Sequence, residues 1–592
     1  MAMDDELLRL RGDKKIPFFT LAKRMLSYAK HDWWKLLIVC LLMGIHVAGT
    51  NALPLLMKQF VGLFETESFA QTTMVVIVSW VLGYAGIALI SLLIRFCEFL
   101  ILQSVGQKIV YQLRMEVFTH IERMSQNQFN EMPVGALVTR VANYTAHISQ
   151  LFTDVLTNLL SNILTIIVVY VIMCTISWRL SLVMLAFGVA IAFVTVFFGG
   201  MAGKLWRKQR LRISDLNTFL SENLSGMRII QIFNAEKKKE REFNDKNEKL
   251  RKTAYGVNFA FTFYRPVIAL LQYAATAVTF GVSMSGWLVG AAEVVAFYLY
   301  IANFFEPIQS FADQVNTIQS ATTSCERLFN LLDVPPEVVD EPDAIEMDHF
   351  EGSIEFDHVW FAYEEENWIL KDVSFKVEPK QTVAFVGATG AGKTTILSLI
   401  VRNYVPQKGR ILIDGVDIRK IKIESLRRAT GQMLQDVFLF SGTIRDNITI
   451  HDESFSDEQV HEAAEYVNAT SFIDKLPNGL NTEVTERGEN FSSGQRQLLS
   501  FARTVLHQPQ ILILDEATAN IDTETETIIQ ASLAKMRSIG TMLVVAHRLS
   551  TIQHADNIIV LQNGEILEQG NHQALLHKKG HYHKLYQLQF EE

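Results

Sequence analysis

The chain has 592 residues, of which 49% are hydrophobic and 20% charged; that length exceeds one hydrophobic core, so at least two domains must segregate the apolar from the charged residues. The formal net charge is −9, and no basic run is interleaved with aromatics, which argues against nucleic acid as a partner. Cys40, Cys97, Cys174 and Cys325 show no paired close spacing; they are expected to be buried small hydrophobes, with neither a disulfide framework nor a zinc site.

The opening MAMDDELLRLRGDKK has no compact apolar segment before a small-residue cleavage site, so removal of a signal peptide is not expected. Residues 17–32, PFFTLAKRMLSYAKHD, alternate apolar and basic positions at helical spacing and suit an interfacial helix. A spanning helix needs about 20 mostly apolar residues. Six stretches qualify, near 34–57, 73–102, 155–175, 180–199, 266–288 and 293–310. The second is longer than a bilayer requires, and the fourth runs through Gly199 and Gly200 into sequence that keeps helical spacing, so long extensions beyond the membrane are expected. Lys and Arg concentrate before the first span and in 103–154 and 200–265, which predicts cytoplasmic termini and long loops. Arg95 and Glu98, three apart in the second span, read as an i,i+3 ion pair near its inner end. His46, alone in the first span, reads as a hydrogen-bonded interior residue. The last two spans are dense in rings. Phe297, Tyr298, Tyr300, Phe304 and Phe305 either pack helices together or line a cavity for flat, apolar or cationic substrates.

From about residue 351, short β-branched runs alternate with helical segments, the α/β pattern, and Pro335, Pro336 and Pro342 mark a linker before it. The expected division is a membrane domain over 1–330, a linker over 331–350 and a nucleotide-binding domain over 351–592. The strand TVAFV leads into Gly387, Ala388, Thr389, Gly390, Ala391, Gly392, Lys393 and Thr394, with Thr395 next, and then into a helical run. That order is a P-loop. Its backbone N–H groups cradle phosphates, Lys393 neutralises the β- and γ-phosphates of ATP, and Thr394 offers a hydroxyl to Mg²⁺. Further on, ILILDEATAN ends an apolar strand in Asp515 and Glu516. The first carboxylate suits Mg²⁺ and the second suits polarising the attacking water.

Between these lies GENFSSGQRQLLSFARTVL, and with it the chain resembles the ATP-binding cassette (ABC) superfamily over nearly its whole length. Phe491, Ser492, Ser493, Gly494 and Gln495 match the LSGGQ signature, which in that family contacts the γ-phosphate held by the other subunit. The resemblance implies that Tyr363 stacks on adenine, Gln435 senses metal and lytic water, Asp522 belongs to the D-loop and His547 contacts γ-phosphate as the switch histidine. TEVTERGENFSSGQ resembles the exporter form TxVGERG with Thr485 in place of a glycine, and FNEMPVGALVTRVANYT and ENLSGMRIIQIFNAE resemble the two loops bearing coupling helices in multidrug-type exporters.

The implied architecture is a six-helix all-α transmembrane domain of the type I ABC exporter fold followed by an α/β P-loop NTPase domain. The implied function is ATP-driven, Mg²⁺-dependent export of hydrophobic or amphipathic small molecules across the cell membrane. A lipid flippase or peptide exporter of the same fold is the alternative, and a nucleotide-gated regulator is the rival of another class, disfavoured by Glu516 and His547. Ser493 stands where the signature has glycine, while Glu516 is intact. This combination resembles the catalytically intact subunit of heterodimeric exporters, so a second, different half-transporter is the expected partner.

Overall fold

The computed structural model describes residues 16–65, 74–283, 290–364, 367–433, 437–515, 523–545 and 552–590. The chain divides into two compact units: residues up to Glu122 with Met132–Pro335, and Arg123–Glu131 with Pro336 onward.

Among the described residues of the first unit, six helices are long and apolar enough to cross a membrane, in the regions the apolar stretches indicate. Helices Met74–Glu122, Trp178–Ser225 and Glu236–Ser283 have 49, 48 and 48 residues. At 1.5 Å per residue each is roughly 70 Å long, more than twice the ~30 Å hydrocarbon core. The reason is composition: apolar residues surround the membrane part, while the distal parts are amphipathic and carry ion pairs such as Lys249–Asp245 and Arg251–Glu248.

Packing between helices uses small residues. A Cβ at Gly49 would lie 2.4 Å from Ser91 Oγ and one at Gly188 2.9 Å from Phe304 Cε1, so neither position admits a larger side chain without displacement. His46 is buried, and its Nδ1 lies 3.1 Å from the Ser91 carbonyl, the interior role expected of it. The Arg95–Glu98 expectation is corrected. Arg95 is exposed and Glu98 is 6% exposed, and among the described residues no ion pair within 4 Å joins them. Cys40 and Cys97 are exposed and only Cys325 is buried, so burial was the wrong expectation for two of them. On an all-apolar helix facing lipid, a hydrophobic side chain has no need of protein cover.

The second unit has a four-stranded antiparallel sheet and a six-stranded, mainly parallel one. Its strands are β1 (Ile354–Ala362), β2 (Trp368–Val377), β3 (Thr382–Val386), β4 (Lys408–Ile413), β5 (Val416–Asp417), β6 (Thr430–Met433), β7 (Gly442–Thr443), β8 (Glu483–Val484), β9 (Ile511–Asp515), β10 (Thr541–Val545), β11 (Asn557–Gln562) and β12 (Glu565–Gly570). The first sheet has order β2-β1-β4-β5, the second β12-β11-β3-β10-β9-β6, and β7 pairs with β8. TVAFV, ILILD and TMLVV are continuous apolar runs because both faces of the parallel sheet are covered; β3 and β10 are buried throughout. Register pairs Val545 with both Phe385 and Asp515. The carboxyl ends of β3, β9 and β10 therefore lie side by side, where ligands bind in open parallel sheets.

The short helix Gln126–Asn130 belongs to this unit. A capping box between Ser125 and Gln128 starts it, and Ser125 Oγ donates to Glu337 at 2.9 Å. The other loop helix, Met227–Ile232, belongs to the membrane unit and buries none of its side chains.

Candidate nucleotide site

The P-loop joins β3 to the helix Lys393–Ile400. Gly390 and Gly392 have φ of +82° and +101°, the left-handed region that only glycine enters without strain. At Gly392 a side chain would also meet Leu370 Cδ2 at 2.6 Å. Lys393 is 7% exposed, and its ammonium donates to the carbonyls of Gly387 and Ala388 at 2.7 and 3.1 Å. The loop carbonyls thus already hold a cation, and Lys393 also lines the cavity beside the loop. Ala391 is buried beneath the loop rather than lining it.

Thr394 Oγ1 donates to Asp515 Oδ1 at 3.4 Å. The residues singled out as metal ligands from opposite ends of the sequence pattern are therefore neighbours, an oxygen pair suited to a hard divalent cation such as Mg²⁺. Tyr363, 42% exposed, hydrogen-bonds through its hydroxyl to Thr395 Oγ1 at 3.1 Å. Its ring is met edge-on by Phe361 and Tyr404, with centroids 4.9 and 5.1 Å away, leaving a face for a flat base. Tyr363, Thr389, Gly390, Gly392, Lys393, Thr394, Thr395 and Asp515 enclose a cavity of about 500 Å³, in the range of small-ligand pockets.

Ser492 caps the helix Ser493–Leu506: its hydroxyl accepts from Gln495 N–H at 3.2 Å, and Gln495 Oε1 accepts from Ser492 N–H at 3.0 Å. Gly494 is buried. None of Ser492, Ser493, Gly494 and Gln495 lines the P-loop cavity; they form the capped start of a separate helix. Ser493 is the first residue of the helix and needs no special backbone. Thr485 likewise has extended φ and ψ of −75° and 171°, while Arg487 and Gly488 take the left-handed conformations of that turn. Gln435, Glu516, Asp522 and His547 lie outside the described residues.

Sequence reasoning missed Tyr404, whose ring fixes Tyr363, and Ile369 and Val545, which line the cavity. A tyrosine eleven residues after Lys393 carries no spacing rule, and only the fold brings it to Tyr363.

A family model described as ABC transporter transmembrane region matches residues 36–308, and one described as ABC transporter matches 370–519. An ABC transporter ATP-binding protein of Streptococcus pneumoniae serotype 4 is 39% identical over 96% of this chain and 97% of its own. The chain belongs to the ABC transporter family. This ABC exporter is also 33% identical, over 99% of its length and 96% of the relative's, to an ATP-dependent lipid A-core flippase of Syntrophus aciditrophicus. A solved bacterial Atm1-family ABC exporter with ATP bound superposes with a TM-score of 0.81 at 29% identity, covering 94% of this chain and 98% of the other. Transmembrane and ATP-binding domains thus share one chain, and transport is coupled to ATP hydrolysis.

In the membrane unit of the exporter, Phe297, Tyr300 and Phe305 are fully buried and Phe304 is 3% exposed, all within one helix-packing core. The Tyr300 hydroxyl donates to the Asn51 carbonyl. Of the five rings suggested for a substrate cavity, only Tyr298, 49% exposed, is open to a ligand within one chain. Leu56, Met57, Phe60, Trp80, Val81, Tyr84 and Ala85 instead line an apolar cavity of about 400 Å³, which no sequence motif announces.

Proposed function

We propose that this exporter moves hydrophobic or amphipathic small molecules of the multidrug type out of the cell by alternating access. The division into 1–330, 331–350 and 351–592 goes with that reading, with termini and cassette in the cytoplasm and the six spans in the cell membrane. The observation that carries it is the joined geometry of Lys393, Thr394, Asp515 and Tyr363 around one cavity in a chain that also has six span-length helices.

Lys393 transfers its donors from the Gly387 and Ala388 carbonyls to the β- and γ-phosphates of ATP, and Tyr363 holds adenine. Thr394, Asp515 and Gln435 would hold Mg²⁺, whose charge would offset that of the phosphates. Glu516 orients the attacking water and His547 contacts the γ-phosphate, while Asp522 communicates across the dimer. Each ATP lies between one cassette's P-loop and the other's signature, so closure is driven by binding and reset by hydrolysis.

ABC exporters of this fold dimerise, and here the partner is a different half-transporter. The support is Ser493: a side chain at the start of the signature helix crowds the approach of the partner's γ-phosphate, while Glu516 remains able to serve the other site. The exposed helix tip, with Ile229 64%, Ile232 69% and Phe233 76% exposed, is an apolar surface of the kind a subunit covers. Purified alone, the chain should hydrolyse ATP at least tenfold more slowly than with the partner. Ser493→Gly should raise the activity of the chain paired with itself; full activity of the unmodified chain alone would refute the heterodimer.

A lipid substrate is the second reading. The apolar cavity beside Trp80 and Tyr84 suits an acyl chain, and a relative is a lipid A-core flippase. Stimulation of ATP hydrolysis by lipids but by no drug-like amphipath would favour it.

A further inference from the structure

The helix Phe18–Ala29 separates its basic residues into two sets. Those facing inward are committed. Arg24 forms an ion pair with Asp333 at 2.7 Å, and its guanidinium lies 4.4 Å from the centre of the Phe329 ring. Tyr28 stacks on the same ring and donates to Glu116 at 2.7 Å. Just beyond the helix, Asp32 is 5% exposed and is held by Lys35 at 3.0 Å and Lys108 at 2.7 Å. The helix and its exit are thereby fixed in orientation against the bundle.

The opposite side exposes Phe19, Lys23, Leu26 and Lys30, and it continues into Trp33 and Trp34, which are 61% and 50% exposed. Lys23 and Lys30 are seven residues apart, two turns and roughly 10 Å along one side. Among the described residues neither makes an ion pair within 4 Å. Asp32 is the only acidic residue between positions 16 and 34, and it faces inward. The exposed side therefore combines two uncompensated ammonium groups with apolar and indole surface, directly at the start of the first span-length helix.

We propose that this face binds the headgroups of anionic phospholipids, the lysines taking the phosphate charge while Phe19, Leu26 and the two indoles enter the acyl boundary. The occupant follows from charge complementarity and from continuity with the span that begins at Trp33; the inference rests on the reading that the six helices cross a bilayer. Near an anionic surface each lysine is worth about a fivefold preference. The fixed orientation set by Arg24, Tyr28 and Asp32 keeps both lysines toward the same plane.

The test uses the full chain in nanodiscs of phosphatidylcholine containing either brominated phosphatidylglycerol or the same fraction of brominated phosphatidylcholine. Quenching assigned to Trp33 and Trp34 is isolated by difference from a Trp33→Phe/Trp34→Phe variant. Quenching by the anionic lipid should exceed that by the zwitterionic one severalfold, and molar salt should reduce the excess. Lys23→Gln/Lys30→Gln should remove the excess while keeping the quenching by brominated phosphatidylcholine, which shows the helix still on the bilayer; Lys23→Arg/Lys30→Arg should retain it. Equal quenching by both lipids in the unmodified chain, or an excess that survives the glutamine substitutions, would overturn the proposal. Absence of quenching by either lipid would overturn the interfacial placement on which it rests.

Discussion

In the cassette unit, β3 and β10 bury every side chain they carry and β9 buries all but the partly buried Asp515 at its end, whereas in the membrane unit the helix Met74–Glu122 leaves Leu82, Leu92 and Phe99 more than half exposed. The same residue types obey opposite rules because the second unit's solvent is water and the first unit's is lipid. In the cassette an exposed ring such as Tyr363 beside a cavity stands out as a candidate ligand contact; in the membrane unit exposure is the default, and it is the buried polar groups, His46, Asn51 and Glu98, that stand out.

The contrast can be broken most strongly at the chemistry. Glu516→Gln should lower ATP hydrolysis by about 10²- to 10⁴-fold while ATP still binds, measured by phosphate release and nucleotide retention. Normal turnover would remove the assigned base. The next effect is on packing: Phe305→Ala should cost about 3–5 kcal/mol of stability because the ring is fully buried, whereas Tyr298→Ala should leave the melting temperature nearly unchanged and alter substrate response instead. Equal destabilisation by both would contradict the division between core and open surface.

A smaller effect is expected at the base. Tyr363→Ala removes stacking worth about 1–3 kcal/mol, so ATP affinity should fall by about 5- to 150-fold. Tyr363→Phe, which loses only the bond to Thr395, should lose much less. The smallest concerns Asp446, whose carboxyl lies below the usual carboxylate range because the Thr443 hydroxyl and N–H bond to it. A depressed carboxyl stabilises above its unfolded pKa, and the contribution is lost as pH falls through the folded one. The difference in melting temperature between the natural chain and Asp446→Asn should therefore be present at neutral pH and shrink below pH ~4.

The fold was legible to different depths in the two units. Strand, glycine loop and helix around Lys393, and the strand ending in Asp515, are fixed by local chemistry, so their spacing was enough to place them together. The helices of the membrane unit were readable as apolar lengths, but which side of each is covered was not, since sequence uniform around the helix carries no amphipathic signal. Hence the Arg95–Glu98 pairing failed, exposed Cys40 and Cys97 were expected inside, and four of the five aromatic residues turned out to be helix-packing rings. Thr485 is instructive in the other direction: it departs from the family pattern without disturbing the turn, because the left-handed residues there are Arg487 and Gly488.

The central claim is that ATP hydrolysis at the Lys393, Asp515 and Glu516 site drives movement through the six-helix unit. It is tested by ATP-dependent uptake of a hydrophobic fluorescent dye into inside-out proteoliposomes containing the chain and its partner. Uptake that requires ATP and is lost with Glu516→Gln is the expected result; uptake that proceeds equally with Glu516→Gln, or without ATP, would contradict it.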